Sequence, residues 1–130
     1  MKENNRVLLV DDDVDDQLFL REALNDLFPA LECITINNGK EALRFIEENP
    51  PPPRYIFLDL NMPYVNGFEF LEEFKKDGEN YETTIYIYST SSNPADKEKA
   101  KTLGADDYIV KYSDLNALKK KLKNAIHPSS

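Results

Sequence analysis

Cysteine and histidine are each present once in the 130 residues, as Cys33 and His127. One cysteine excludes an intrachain disulfide, and so small a supply of thiol and imidazole excludes the usual zinc sites. Long apolar runs are also missing. The longest near the N-terminus, residues 7–10, is a strand's worth, so neither a signal peptide nor a membrane span is expected, and the default location is cytoplasmic. Basic charge is outweighed too, with 16 Lys and Arg against 24 Asp and Glu. The formal net charge is −8, which repels nucleic acid, and the one basic run, Lys119 to Lys123, reads as a solvated helix face. What remains suits one soluble domain, 41% hydrophobic and 31% charged, long enough to bury a core without staples. The domain is expected over residues 6–126, with short tails at 1–5 and 127–130.

Short apolar runs alternate with helical patterns. Residues 7–10, 31–36, 55–58, 85–88 and 108–110 read as strands. Between and after them lie helical stretches. The first, 15–28, carries Leu20, Ala23, Leu24 and Leu27 at helical spacing and is stopped by Pro29. Others follow over 40–48 and 68–75, then one capped by Asn93 and ended by Gly104. The last is opened by Ser113, with Leu115, Leu118, Leu122 and Ala125 facing inward. Five strands and five helices in alternation predict a parallel sheet covered on both faces. Cys33, between apolar neighbours in the second strand, reads as a small buried hydrophobe. The prolines at 50–53 read as a stiff connector.

In such a sheet, ligands bind outside the carboxyl ends of the strands. The first strand runs into Asp11-Asp12-Asp13, the third into Asp59-Leu60-Asn61-Met62-Pro63, the fourth into Ser89-Thr90-Ser91 and the fifth into Lys111. Carboxylates about 4 Å apart repel by about 4 kcal/mol at an effective dielectric near 20. A hard divalent cation relieves that repulsion, and Mg²⁺ takes oxygen ligands. Such an ion would also draw in a phosphoryl group for attack by a carboxylate, with a lysine and a hydroxyl holding the remaining oxygens.

Val10-Asp11-Asp12, Leu58-Asp59-Leu60-Asn61-Met62-Pro63 followed by Gly67, the hydroxyl of Ser89, Gly104-Ala105-Asp106-Asp107-Tyr108 and Lys111 together resemble the receiver domains of two-component response regulators. The likeness extends over about residues 6–125 and is nearest in kind to stand-alone chemotaxis-type or phytochrome-associated receivers. It implies a doubly wound, flavodoxin-like sheet of order 2-1-3-4-5. It also implies that Asp59 is the phosphoacceptor and that Asp12, Asp59, the backbone carbonyl of Asn61 and, through water, Asp11 hold Mg²⁺ or Mn²⁺. Ser89 would bind the phosphoryl group and move with it. Lys111 would contact the phosphoryl group, and Asp59 before it arrives. Tyr108 would be an aromatic switch, unless it is simple packing. Thr90 stands where a small residue is common. Asn61 and Ser91 occupy positions that tune phosphoryl lifetime in the family. Tyr112 stands where the family commonly carries proline, which leaves open whether the Lys111–Tyr112 peptide is cis.

By the same resemblance the partners are a sensor histidine kinase or phosphotransfer protein, a downstream protein target and, as one candidate, a second copy of the chain. No nucleic acid or membrane partner is expected, and no catalysis beyond the chain's own phosphoryl transfer and slow dephosphorylation. Light-sensing kinases are a candidate only by fold analogy. Two alternatives stand beside this reading. One is a phosphorylation-independent interaction module. The other is a haloacid-dehalogenase-type phosphatase built on Asp11 and Asp13. Asp13 stays open between metal ligand and helix acid, Asp15 and Asp16 read as helix N-terminal acids, and Asp106 and Asp107 as a solvated turn at the wrong end of a strand.

Overall fold

A computed structural model describes residues 4–62, 65–76, 82–111 and 114–126. The elements alternate as β1 (Arg6–Val10), α1 (Val14–Leu27), β2 (Glu32–Ile36), α2 (Gly39–Glu48), β3 (Tyr55–Leu58), α3 (Gly67–Lys76), β4 (Thr84–Ser89), α4 (Pro94–Thr102), β5 (Asp107–Val110) and α5 (Leu115–Ala125). All strand pairs are parallel, in the order β2-β1-β3-β4-β5. The expected doubly wound architecture is therefore the observed one.

Side chains alternate across a strand, so each strand feeds two cores. Val7, Leu9, Phe57, Tyr86, Tyr88 and Ile109 pack with Leu20 and Leu24 of α1 and Leu118 and Leu122 of α5. Leu8, Val10, Ile56, Leu58, Ile85 and Ile87 pack on the other face with α2, α3 and α4, through Ala42, Phe70, Phe74 and Ala100 among others. The three central strands are buried on both faces, which explains their continuous apolar runs.

Local chemistry sets the boundaries. Asp13, Asn38, Asn93 and Asp114 each accept a backbone N–H at the start of a helix. The last helix is thus capped by Asp114; Ser113, expected to open it, lies outside the described residues. So does Tyr112, and with it the question of the Lys111–Tyr112 peptide. Pro29 stops α1 as expected: the helix closes at Leu27, and Phe28, the residue before the proline, has already left helical geometry while its amide donates to the Leu24 carbonyl.

Cys33 is a correction: it is only partly buried, because β2 is an edge strand with exposed or half-buried positions throughout. Asp106 is another. The residue is exposed, but its carboxylate accepts the Ile85 N–H at 2.8 Å, so it closes the start of β4 rather than only facing water.

Candidate functional site

Register decides where the site residues stand. Val10 pairs with Ile36 on one side and Leu58 on the other, and Leu58 pairs with Ile87. The residues just beyond, Asp11 and Asp59, are then carried side by side off neighbouring strands. Their amides continue the ladder, Asp11 N–H to the Ile36 carbonyl at 3.1 Å and Asp59 N–H to the Val10 carbonyl at 2.9 Å. At the far side the Lys111 amide donates to the Ser89 carbonyl at 2.8 Å. The reversal of strand order falls between β1 and β3, where this fold leaves a crevice.

Carboxylate oxygens of Asp11, Asp12 and Asp59 all lie within 4.8 Å of one another. Asp11 and Asp59 are buried and Asp12 is exposed. Asp11 Oδ1 accepts the Asp13 amide at 2.9 Å. Its Oδ2 is buried with no hydrogen bond, although the Lys111 ammonium stands 2.9 Å away, at ion-pair distance but out of hydrogen-bond direction. Asp59 receives one long bond, from the Asn61 amide at 3.4 Å. Burial is the main influence on Asp59 and, with the neighbouring charge of Asp11 and Asp12, pushes its pKa to about 6 against the pull of Lys111. Asp11 is raised as well, chiefly by burial, against the Asp13 amide and Lys111.

An incompletely satisfied carboxylate oxygen, a second carboxyl reluctant to ionise and a third open to solvent are what a hard divalent cation would satisfy. The donor set is all oxygen, so the residues fit such an ion. Asn61 follows just after β3, exposed between the buried Leu60 and Met62. Gly67 lets α3 press against this loop: a Cβ there would stand 2.6 Å from the Asp59 carbonyl oxygen, and its own N–H donates to the Leu60 carbonyl at 3.0 Å.

Lys111 stands at the edge of ion-pair distance from Asp59, 4.0 Å from Oδ2, as expected, but its hydrogen bond goes to Asp16 Oδ2 at 2.7 Å. Burial alone would lower its pKa, yet Asp16, Asp11 and Asp59 together hold it above the ordinary lysine value. Asp16 does sit in the first turn of α1, as expected of a helix acid, but reading it as nothing more missed this pairing. Its spacing carried a signal: Asp13 caps the helix, and the residue three positions on points back toward the strand end it left.

Ser89 is fully buried, and its hydroxyl accepts the Ser91 amide at 3.2 Å. The Ser91 hydroxyl donates to Asp96 at 2.7 Å, while the Ser91 carbonyl accepts the Tyr108 hydroxyl at 2.8 Å. Tyr108 is half-buried, with the Lys97 ammonium 5.7 Å from its ring centre. Thr90 is exposed at the rim. Asp13, left open as a ligand, has its carboxylate engaged as the cap of α1, which weakens the Asp11–Asp13 pairing that the phosphatase alternative needs.

The comparisons with known proteins agree with this geometry. Residues 7–123 match the family model for the response regulator receiver domain. The chain belongs to that family. Response regulator Rcp1 of Synechocystis sp. is 31% identical over 117 residues, 86% of this chain and 80% of that protein. The Regulator of RpoS from Escherichia coli is 30% identical over 119 residues, 89% of this chain but 34% of that longer protein. Among solved structures, the Mn²⁺-bound form of Rcp1 aligns with a TM-score of 0.81 at 30% identity, covering 92% of this chain and 90% of the other. The phosphorylated cyanobacterial phytochrome response regulator RcpA gives 0.84 at 30%, covering 95% and 91%.

The receiver domain is thus homologous to phosphoaccepting response regulators, and neither alternative is favoured. Receiver domains interact with histidine kinases and downstream targets. No helix among the described residues is long and apolar enough to cross a membrane.

Proposed function

We propose that Asp59 accepts a phosphoryl group from a phosphohistidine on a histidine kinase or phosphotransfer protein, with Mg²⁺ held by Asp12, Asp59, the Asn61 carbonyl and, through water, Asp11. The observation that carries this reading is the convergence of the Asp11, Asp12 and Asp59 oxygens within 4.8 Å, beside a lysine. A carboxylate oxygen of Asp59 attacks phosphorus, the P–N bond breaks, and its electron pair returns to the departing imidazole, which takes a proton from solvent. When bound, the metal supplies positive charge against the phosphoryl oxygens and lowers the cost of ionising Asp59. Lys111 and the Ser89 hydroxyl hold the remaining oxygens.

The Ser89 oxygen that would be drawn toward a phosphoryl group already accepts the Ser91 amide, and Ser91 in turn holds Tyr108 and Asp96, so a shift of Ser89 would be passed to both. Occupancy at Asp59 would thereby bias the loop between β4 and α4 and the pose of Tyr108, which changes what a partner meets. The chain's own chemistry ends at this transfer and the slow hydrolysis of the aspartyl phosphate to inorganic phosphate, in a cytoplasmic setting. Residues 6–126 form the working domain.

The test is incubation with acetyl phosphate, with and without Mg²⁺, followed by intact-mass measurement. Wild type should gain one phosphoryl group in Mg²⁺ and none with chelator. Asp59→Asn should gain none. Equal incorporation by Asp59→Asn would overturn the assignment.

A further inference from the structure

The first turn of α1 delivers to the site a carboxylate that belongs to neither the acid cluster nor the residues of the β4–α4 loop. Asp16 Oδ2 is the nearest oxygen to the Lys111 ammonium, at 2.7 Å, with Asp11 Oδ2 at 2.9 Å and Asp59 Oδ2 at 4.0 Å. The lysine side chain is confined, 9% exposed, with its ammonium 5.5 Å from the centre of the Tyr88 ring. An ammonium so enclosed moves by exchanging one carboxylate for another. Of its neighbours, Asp16 is the one with substantial access to water, at 34% exposure against 6% and 8% for Asp11 and Asp59. Water can therefore take over the Asp16 oxygen when the lysine departs, whereas abandoning Asp11 or Asp59 would strand a buried charge.

We propose that Asp16 is the resting-state counterion of Lys111, a positioning residue that draws the ammonium toward α1 and off Asp59, and that Lys111 must leave it to reach a phosphoryl oxygen. The inference rests on the phosphoacceptor reading above. Asp16 acts through Lys111 and touches no reacting atom. Its carboxylate sets how readily the lysine is released to the incoming group, and so tunes phosphoryl binding from outside the acid cluster. Asp15 provides an internal control. It is an exposed acid in the same helical turn, with the same charge and no ion pair to Lys111 among the described residues.

The experiment titrates the full chain with beryllofluoride in saturating Mg²⁺ and follows binding by amide NMR. It compares wild type with Asp16→Asn, Asp16→Glu and Asp15→Asn. Asp16→Asn should bind about fivefold more tightly, the scale of one partly exposed ion pair. Asp15→Asn should stay within about twofold of wild type, as a screened surface charge would, and Asp16→Glu should return toward wild type. A second measurement, free of metal and beryllofluoride, follows the Lys111 side-chain ammonium by ¹H–¹⁵N correlation. Asp16→Asn should shift or broaden that signal and Asp15→Asn should leave it in place. Asp16→Asn matching Asp15→Asn in both measurements overturns the proposal. Wild type that binds no beryllofluoride overturns the phosphoacceptor reading and the exchange built on it, while the ammonium signal still reports separately whether Asp16 holds the lysine.

Discussion

The two ends of the sheet treat polar groups in opposite ways. At the amino end, Thr83 is buried and its hydroxyl donates to the Pro53 carbonyl at 2.7 Å, and Asp106 accepts the Ile85 N–H. Each group there has a backbone partner. At the carboxyl end, Asp11 Oδ2 is buried without a hydrogen bond, Asp59 is pushed to a pKa of about 6, and one lysine faces three carboxylates. The amino end uses polarity to close the fold. The carboxyl end keeps an excess of negative charge, which a divalent cation would offset. Location alone does not separate structural from functional polarity, whereas partner accounting does.

The largest test of that contrast concerns stability without metal. Asp59 has a folded-state pKa above its unfolded value, so folding takes up a proton between about pH 4 and 6 and stability falls as pH rises through that window. Above it, the ionised carboxylate costs about 3 kcal/mol, by 1.36 kcal/mol per pKa unit. Asp59→Asn should therefore raise stability by roughly that amount at pH 7.5 in chelator, with the gain vanishing below about pH 4. Urea melts across pH would show it, and a destabilised Asp59→Asn would break the comparison. Next in size, Mg²⁺ at ten times its Kd should stabilise wild type by about 1.4 kcal/mol, by mass action. Asp12→Ala should lose most of that increment in a thermal melt.

At the amino end, Thr83→Val should cost about 1 kcal/mol by leaving the Pro53 carbonyl unpaired, with no change in the response to Mg²⁺. A cost that depended on metal would show that the two ends are coupled. Smallest of all, Tyr108→Phe removes one half-buried hydrogen bond and should cost at most about 1 kcal/mol, while altering the amide signals of the β4–α4 loop.

Much of this was legible in the sequence, for definite reasons. Unbroken apolar runs mark strands covered on both faces, and their ends name the residues at the rim, so Asp11, Asp59, Ser89 and Lys111 could be gathered before any coordinates. Asn93 and Gly104 marked the ends of α4 because caps act locally. Where sequence reasoning stopped, the cause was tertiary. Cys33 is half-exposed because its strand lies at the edge, a fact of strand order and not of its apolar neighbours. Asp16 lies 95 positions from Lys111, and their pairing depends on how α1 leans over the sheet. Asp106 looked like a turn residue because the amide it serves belongs to a different strand.

Metal-dependent capture of a phosphoryl group by one particular carboxyl is the core of the account. Borohydride reduction of the chain after treatment with acetyl phosphate and Mg²⁺, followed by peptide sequencing, reads that carboxyl directly, since an aspartyl phosphate is reduced to homoserine. The account predicts homoserine at position 59 and unmodified aspartate at 11, 12 and 16. Homoserine at another position, or at position 59 in equal yield when the metal is chelated, would contradict it.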